Sequence, residues 1–260
     1  MDQKPCGSPY RTALITGASG GIGRGLAAWF ARRGVKVFGA ARRLEELEAL
    51  ARELQGQGEL VPVKLDVADA RATLESIRSI DEACGGLDLV VANAAVALET
   101  PGDAPAWDSV ERILDVNVRG AAATLTAVAD RMASRGRGHL VGMSSLGGGR
   151  GAPRHSAYSA SKAFLTTFLE GLRIDLAPRG VQVTTIQPGF VRTPGTAGNT
   201  FPMPFLLELD DAVERMGRAI LRRPSEFSFP WQSAWVVKLS RLLPNALWDR
   251  AARSLGPGHD

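Results

Sequence analysis

The sequence predicts an α/β fold in which a central parallel sheet is wound on both faces by helices. Three observations predict it. Short apolar runs alternate with longer stretches of helical periodicity, in a strand-then-helix order repeated six times. The runs are continuously apolar, as strands buried on both faces should be. The first of them ends in a glycine-rich turn where a helix begins. Repeated units of this kind imply parallel strands joined by right-handed crossovers. In such doubly wound sheets ligands sit beyond the carboxyl ends of the strands, near the point where strand order switches.

The elements follow in order. RTALITG at 11–17 reads as a strand, and IGRGLAAWFARR at 22–33 as a helix with Ile22, Leu26, Trp29 and Phe30 on one face. Val35–Ala40 is a strand, and LEELEALARELQ is a helix stopped by Gly56. Next come the strand LVPVKLDV, a helix over about 69–83 and the strand LDLVVAN. A single long helix over about 107–134 precedes the strand HLVGMSS, a helix over about 155–176 and the strand VQVTTIQ. Beyond residue 187 the pattern changes to a Pro-, Gly- and Thr-rich loop over 188–205 and a helix over about 210–222. FSFPW reads as a short last strand, and the stretch to about 255 as amphipathic helix carrying three of the five Trp.

No linker or low-complexity segment divides the chain, so its 260 residues read as one domain, 1–260. Within it, 188–225 form a substrate-binding loop and helix, and 231–255 an amphipathic C-terminal extension. The net charge of +4 is scattered, which argues against a nucleic-acid partner. No apolar run reaches the roughly 18 residues of a spanning helix, and the start lacks a signal peptide's apolar core. A cytoplasmic location is the expectation, with Cys6 and Cys84 as free thiols. His139, His155 and His259 have no second ligand at metal-binding spacing, so no metal site is expected, although His155 lies close enough before Tyr158 to face a substrate.

Chemistry concentrates at strand ends. In TGASGGIG, Gly17, Gly21 and Gly23 let the backbone turn tightly and approach a pyrophosphate, which the following helix's free N–H groups would bind. Tyr158 and Lys162 are four apart on one helix face. A lysine cation at about 4 Å, at an effective dielectric of about 20, favours phenolate by roughly 4 kcal/mol. That is on the order of three pKa units, enough to bring the phenol towards neutrality. The only other tyrosine, Tyr10, lies in the N-terminal tail. Ser145 ends a strand thirteen residues before Tyr158, with Ser144 as the neighbouring candidate. After the second strand the sequence is GAARR, with Ala41 where an acid would bond a ribose 2′-hydroxyl and Arg42 next, suited to a phosphate.

TGASGGIG at 16–23, ANAA at 92–95, Asn117, the serine of MSS at 143–145, YSASK at 158–162 and PGFVRT at 188–193 together resemble the short-chain dehydrogenase/reductase family, in its Rossmann-fold members. The resemblance covers roughly 11–195, with the motifs in the family's order and spacing. It implies hydride transfer between a nicotinamide and a carbonyl or secondary alcohol. Tyr158 would be the general acid/base, Ser145 would polarise the substrate oxygen, and Lys162 would lower the phenol pKa and bind the ribose. Asn117 resembles the family asparagine that helps hold a water beside the lysine.

Cofactor contacts implied by the resemblance are Gly17, Ser19, Gly21, Ile22 and Gly23 in the first loop, Arg42, Asp66 for the adenine amine with Val67 beside it, and Asn93 and Ala94. Tyr158, Lys162, Pro188, Gly189, Val191 and Thr193 complete the set, with Thr193 bonding the carboxamide. NADP(H) is expected over NAD(H). Two departures stand out: ANAA replaces the common NNAG, and Gly20 stands where NADP users often carry a basic residue. The helices 107–134 and 155–176 resemble the pair through which the family dimerises, so a homodimer or homotetramer is expected.

Phe201, Pro202, Met203, Phe205, Leu206 and Leu207 near the entrance suggest a hydrophobic ketone or secondary alcohol as substrate. The extension lacks the family's VDGG-like turn. Trp231, Trp235, Val236, Leu239, Leu242, Leu243, Leu247 and Trp248 form an apolar face, and Lys238, Arg241, Arg250 and Arg253 a basic one. It could pack on the domain or a second subunit, cover the cleft, or rest on a membrane surface. Pro244 interrupts it. A non-catalytic NADPH-binding regulatory protein, and an epimerase or dehydratase on the same fold, are the alternative functions.

Overall fold

The computed structural model describes residues 8–104, 106–198 and 202–253. Seven parallel strands form one sheet: β1 (Thr12–Thr16), β2 (Lys36–Ala41), β3 (Leu60–Lys64), β4 (Leu89–Ala92), β5 (Gly138–Met143), β6 (Val181–Pro188) and β7 (Glu226–Phe229). Their spatial order is β3-β2-β1-β4-β5-β6-β7. The chain winds outward from β1 to β3, then returns to β4 beside β1 and proceeds the other way. The switch therefore lies between β1 and β4, and a crevice opens past Thr16 and Ala92.

Helices α1 (Gly21–Ala31), α2 (Leu44–Glu53), α3 (Ala70–Ala83), α4 (Trp107–Ile113), α5 (Ala121–Arg135), α6 (Ser156–Leu176), α7 (Leu209–Arg222), α8 (Trp231–Ser240) and α9 (Asn245–Arg253) complete the fold. The continuous apolar runs have a direct cause. On one face Ile15, Val37, Leu89, Val91 and Val141 pack against Leu26 and Phe30 of α1 and Met216 and Ile220 of α7. On the other, Leu14, Val90, Leu140 and Val183 pack against Ile77, Leu125, Val128, Leu165 and Leu169. Neighbouring strand residues point to opposite faces, and both faces are covered.

Two expectations need correction. The single helix over 107–134 is divided: a π-helical turn, Leu114–Gly120, separates α4 from α5. Tyr10 is not a tail residue; it is 3% exposed in the core, its hydroxyl 2.7 Å from His139 Nδ1. Thr184 donates to the Pro224 carbonyl, so His139 Nε2–H donates to Thr184. The Tyr10 hydroxyl accepts from Arg223 Nε–H and lies within reach of both His139 Nδ1 and the Ile220 carbonyl (3.0 Å). Burial of His139, with the Arg223 cation nearby, pushes its pKa down to about 3, which leaves the ring neutral.

The extension is two helices broken at Pro244, and α8 leaves its large apolar side chains outward. Small residues, Ala234 and Ser240, are buried, while Trp231, Trp235, Val236 and Leu239 face solvent. Leu242, Leu243 and Leu247 continue that surface. No described helix is long and apolar enough to cross a membrane.

Candidate active site

The glycine loop sits at the switch point. Gly17 has φ +71°, and a Cβ there would come within 2.9 Å of both Ala94 Cα and Asn93 Nδ2, so no other residue fits between β1 and the loop after β4. Thr16, which sequence reasoning passed over although it opens TGASGGIG, fastens the two loops. Its hydroxyl accepts from the backbone N–H of Asn93 (3.1 Å) and Ala94 (3.2 Å), and its carbonyl accepts from Asn93 Nδ2 (2.9 Å). Gly21, Ile22 and Gly23 form the first turn of α1, where no side chain caps the N-terminus. Such free N–H groups, cradled by glycine, fit a pyrophosphate.

Arg42 is exposed beyond β2, but it is Arg43 that leans over the glycine loop, its Nη2 donating to Ser19 Oγ at 3.3 Å. Of the basic pair in GAARR, Arg43 is thus the one in contact with the glycine loop. Asp66 accepts from the Ala68 N–H (3.1 Å) and lies 3.3 Å from Arg112 Nη2. Val67 is buried with Ala40, Leu65 and Val116.

Asn117 lies in the π turn, 1% exposed. Its Oδ1 accepts from the Val96 N–H (2.8 Å), and its Nδ2 donates to the Val96 carbonyl (2.9 Å) and Ser161 Oγ (3.1 Å). The side chain thus holds the loop after β4 against α6.

Ser144 and Ser145 have separate roles. Ser144 is buried, donating to the Lys162 carbonyl (2.9 Å) beside Thr166 Oγ1 (2.8 Å). Ser145 Oγ accepts from the Gly147 N–H at 3.0 Å and stands near the Tyr158 phenol. Lys162 is buried beneath them, Nζ donating to the Met143 carbonyl at 2.8 Å and 5.7 Å from the Tyr158 ring centroid.

The electrostatics differ from expectation. Burial raises the Tyr158 pKa above its ordinary value, and the nearby Ser145 hydroxyl offsets this only in part. Burial also brings the Lys162 pKa down to about 8, and its proton is directed at the Met143 carbonyl. Taking either charge out of water costs more than this geometry returns.

The helix carrying Tyr158 and Lys162 is capped from a distance. Thr100 Oγ1 accepts from the Ala157 N–H (3.3 Å) and lies 3.1 Å from Ser156 Oγ. Glu99 pairs with Arg154 at 2.6 Å, and Thr100 bridges His155. Neither Thr100 nor Glu99 carried a sequence signal, because the cap comes from more than 50 residues away.

On the far side, Pro188 ends β6 and Gly189 N–H donates to the Phe229 carbonyl at 2.7 Å. Val191 is buried and bridges Leu207. Thr193, its N–H held by Thr196 Oγ1 at 2.9 Å, reaches back to the Gly21 turn. Phe205 is exposed, Met203, Leu206 and Leu207 half-buried, and Pro202 exposed. Phe201, Cys6 and His259, and residues 254–255 of the extension, lie outside the described residues. The described residues include no group of three His, Cys, Asp or Glu able to hold a metal ion.

With this geometry in view, the chain can be set beside known proteins. A family model for short chain dehydrogenase matches residues 11–201. An "uncharacterized oxidoreductase" of Myxococcus xanthus is 60% identical over 247 residues, spanning 95% of this chain and 98% of that one. A short-chain dehydrogenase from Sphingobium yanoikuyae, solved in complex with NADPH, superposes with a TM-score of 0.78 at 28% identity, covering 90% of this chain and 97% of its own. A bulky-bulky ketone specific alcohol dehydrogenase from Comamonas testosteroni gives 0.75 at 25% identity, covering 91% and 96%.

Proposed function

On the premise that this chain belongs to the short-chain dehydrogenase family, we propose that it is an NADP(H)-dependent oxidoreductase acting between a carbonyl and a secondary alcohol of a hydrophobic substrate. The observation that carries the reading is Ser145, Tyr158 and Lys162 meeting beyond β5, across the crevice from the glycine-cradled N-terminus of α1. A bound nicotinamide supplies or accepts the hydride; the chain supplies orientation and a proton.

Ser145 accepts the Gly147 N–H and so keeps its own proton for the substrate oxygen or the phenol. Tyr158, its pKa raised, is protonated at neutral pH and stands ready to donate its proton to a forming alkoxide. Lys162 is the cation beneath the phenol and the donor for a ribose hydroxyl. Asn117 and Thr100 fix the walls on either side.

Cofactor choice rests on charge. Ala41 offers no carboxylate to a ribose 2′-hydroxyl, whereas Arg42 and the Arg43–Ser19 pair suit a 2′-phosphate. Gly17, Ser19, Gly21, Ile22 and Gly23 hold the pyrophosphate side. Asp66, Val67, Asn93 and Ala94 hold the adenosine side, and Pro188, Gly189, Val191 and Thr193 cover the nicotinamide. The bulky-bulky ketone specificity of the Comamonas neighbour supports a bulky ketone as the substrate class. A homodimer forms through α4, α5 and α6, where Trp107, Phe164 and Ile174 are exposed.

The outward apolar surface of α8 and α9, with Lys238, Arg241, Arg250 and Arg253 opposed there only by Asp249, complements an anionic bilayer surface. The test of the enzymatic reading is thermal stability with each cofactor followed by NADPH turnover on a ketone panel. NADPH should raise the melting temperature more than NADH, and a bulky ketone should consume it. Equal shifts would remove the role given to Arg42 and Arg43. Binding without turnover of any carbonyl or alcohol would favour the non-catalytic reading.

A further inference from the structure

The segment LGGGRG at 146–151 joins Ser145 to the helix of Tyr158 and contains three consecutive glycines. Such a run has the largest backbone entropy to lose and no side chains with which to hold itself. It is nonetheless tightly placed. Gly148 lies flat on α6, where a Cβ would come within 2.8 Å of the Lys162 carbonyl carbon and 2.9 Å of the Ala163 nitrogen. Gly149 lies against Val237 of α8, with no room between them for a Cβ. The turn is pressed between the catalytic helix and the extension.

What fastens the extension there is Arg150. Its Nη1 donates to the Ser240 carbonyl (2.7 Å), at the end of α8, and to the Leu243 carbonyl (2.8 Å), in the turn that follows it. Its Nη2 donates to Asn245 Oδ1 at 2.8 Å, where α9 begins. The guanidinium also lies 5.1 Å from the Trp248 ring centroid, and Trp248 Nε1–H returns a bond to the Gly151 carbonyl at 3.2 Å. One planar fork thus grips the end of one helix, the start of the next and an aromatic face of the second. A lysine's single ammonium cannot reproduce that geometry.

We infer that Arg150 is a positioning residue: by clasping α8 and α9 it immobilises the glycine turn that orients Ser145 beside Tyr158. The inference rests on the roles given to Ser145 and Tyr158 above. The extension, where the family pattern stops, then serves the catalytic turn directly rather than merely lengthening the chain.

The test compares Arg150→Ala and Arg150→Lys with the full-length wild type by hydrogen exchange, NADPH affinity and steady-state kinetics on a ketone the wild type reduces. For Arg150→Ala, amide exchange should accelerate in 146–151 together with 231–253. Its kcat should fall about tenfold, as for a displaced catalytic group, while NADPH affinity stays within about twofold, since no cofactor contact is touched. Arg150→Lys should behave much like Ala. Faster exchange confined to 231–253, with 146–151 protected and kcat unchanged, would overturn the inference. Should Arg150→Ala not fold, Asn245→Ala and Trp248→Phe each remove one part of the clasp. Unaltered exchange in 146–151 in both would equally overturn it. If no ketone is reduced by the wild type, the enzymatic reading fails, and the exchange measurement still decides whether Arg150 holds the turn.

Discussion

At the scale of single residues, the proposed mechanism rests on a phenol that burial keeps protonated and a lysine that burial brings close to losing its charge. Tyr158 is raised and Lys162 falls to about 8, so below that pH the site presents a neutral acid over a cation. Carbonyl reduction should therefore be level at lower pH and decline as pH rises through about 8, when the lysine deprotonates. A reduction rate that instead rises through this range would contradict the assignment. Lys162→Met should lower kcat by about a hundredfold or more, in line with the range for acid–base catalysis, and abolish the decline near that pH. The residue types and their spacing were legible in the sequence; the direction of the tyrosine shift was not. Spacing of four brings two side chains to one helix face, but it does not say that the ammonium points at the Met143 carbonyl or how much water both groups lose.

At the scale of elements, the π turn at Leu114–Gly120 is the feature that carries most and shows least in sequence. Its apolar periodicity continues that of a straight helix, so the widened turn appears only when Asn117 is seen spanning to Val96 and Ser161. Asn117→Ala strands the Val96 N–H and carbonyl near the crevice. The expected cost is about 2–3 kcal/mol for unmade buried hydrogen bonds, read as a lower melting temperature, with weaker NADPH binding as the loop after β4 loosens. A melting temperature matching the wild type would show that the loop is held otherwise. The N-terminal segment was misread for a similar reason. Tyr10 precedes the first periodic run, and its partners His139 and Arg223 lie far away in sequence.

That cluster has a consequence for acid stability. The His139 pKa in the folded chain is depressed to about 3, against an ordinary 6.5, so the unfolded chain binds the proton more readily between those values. Its stabilisation is complete above about pH 6.5 and is lost as pH falls towards 3, by on the order of 5 kcal/mol in all. Urea midpoints measured across this window should fall with pH in the wild type and fall less in His139→Gln. Parallel curves would contradict the buried neutral histidine.

At the scale of the whole molecule, the parallel, doubly wound architecture was legible because the sheet is buried on both faces. Leu14 and Ile15, adjacent in sequence, supply opposite cores, and the run of apolar residues is the direct record of it. The outer surface was less legible. A helix such as α8, with small residues inward and Trp231, Trp235, Val236 and Leu239 outward, has the composition of an amphipathic segment with the opposite orientation. The full-length chain should float with anionic liposomes and remain behind with neutral ones, and Trp231→Glu with Leu242→Glu should release it. Equal recovery with both vesicle types would exclude headgroup attraction, and no flotation at all would exclude the surface as a membrane contact.

The central claim, proton donation by Tyr158 to a carbonyl reduced by NADPH, is tested most directly by comparing wild type with Tyr158→Phe. The measurement is loss of NADPH absorbance on a bulky ketone, with cofactor affinity determined for both. The account expects NADPH to bind both proteins alike and kcat to fall by about 10²–10⁴-fold in the variant. Tyr158→Phe retaining wild-type turnover would contradict it.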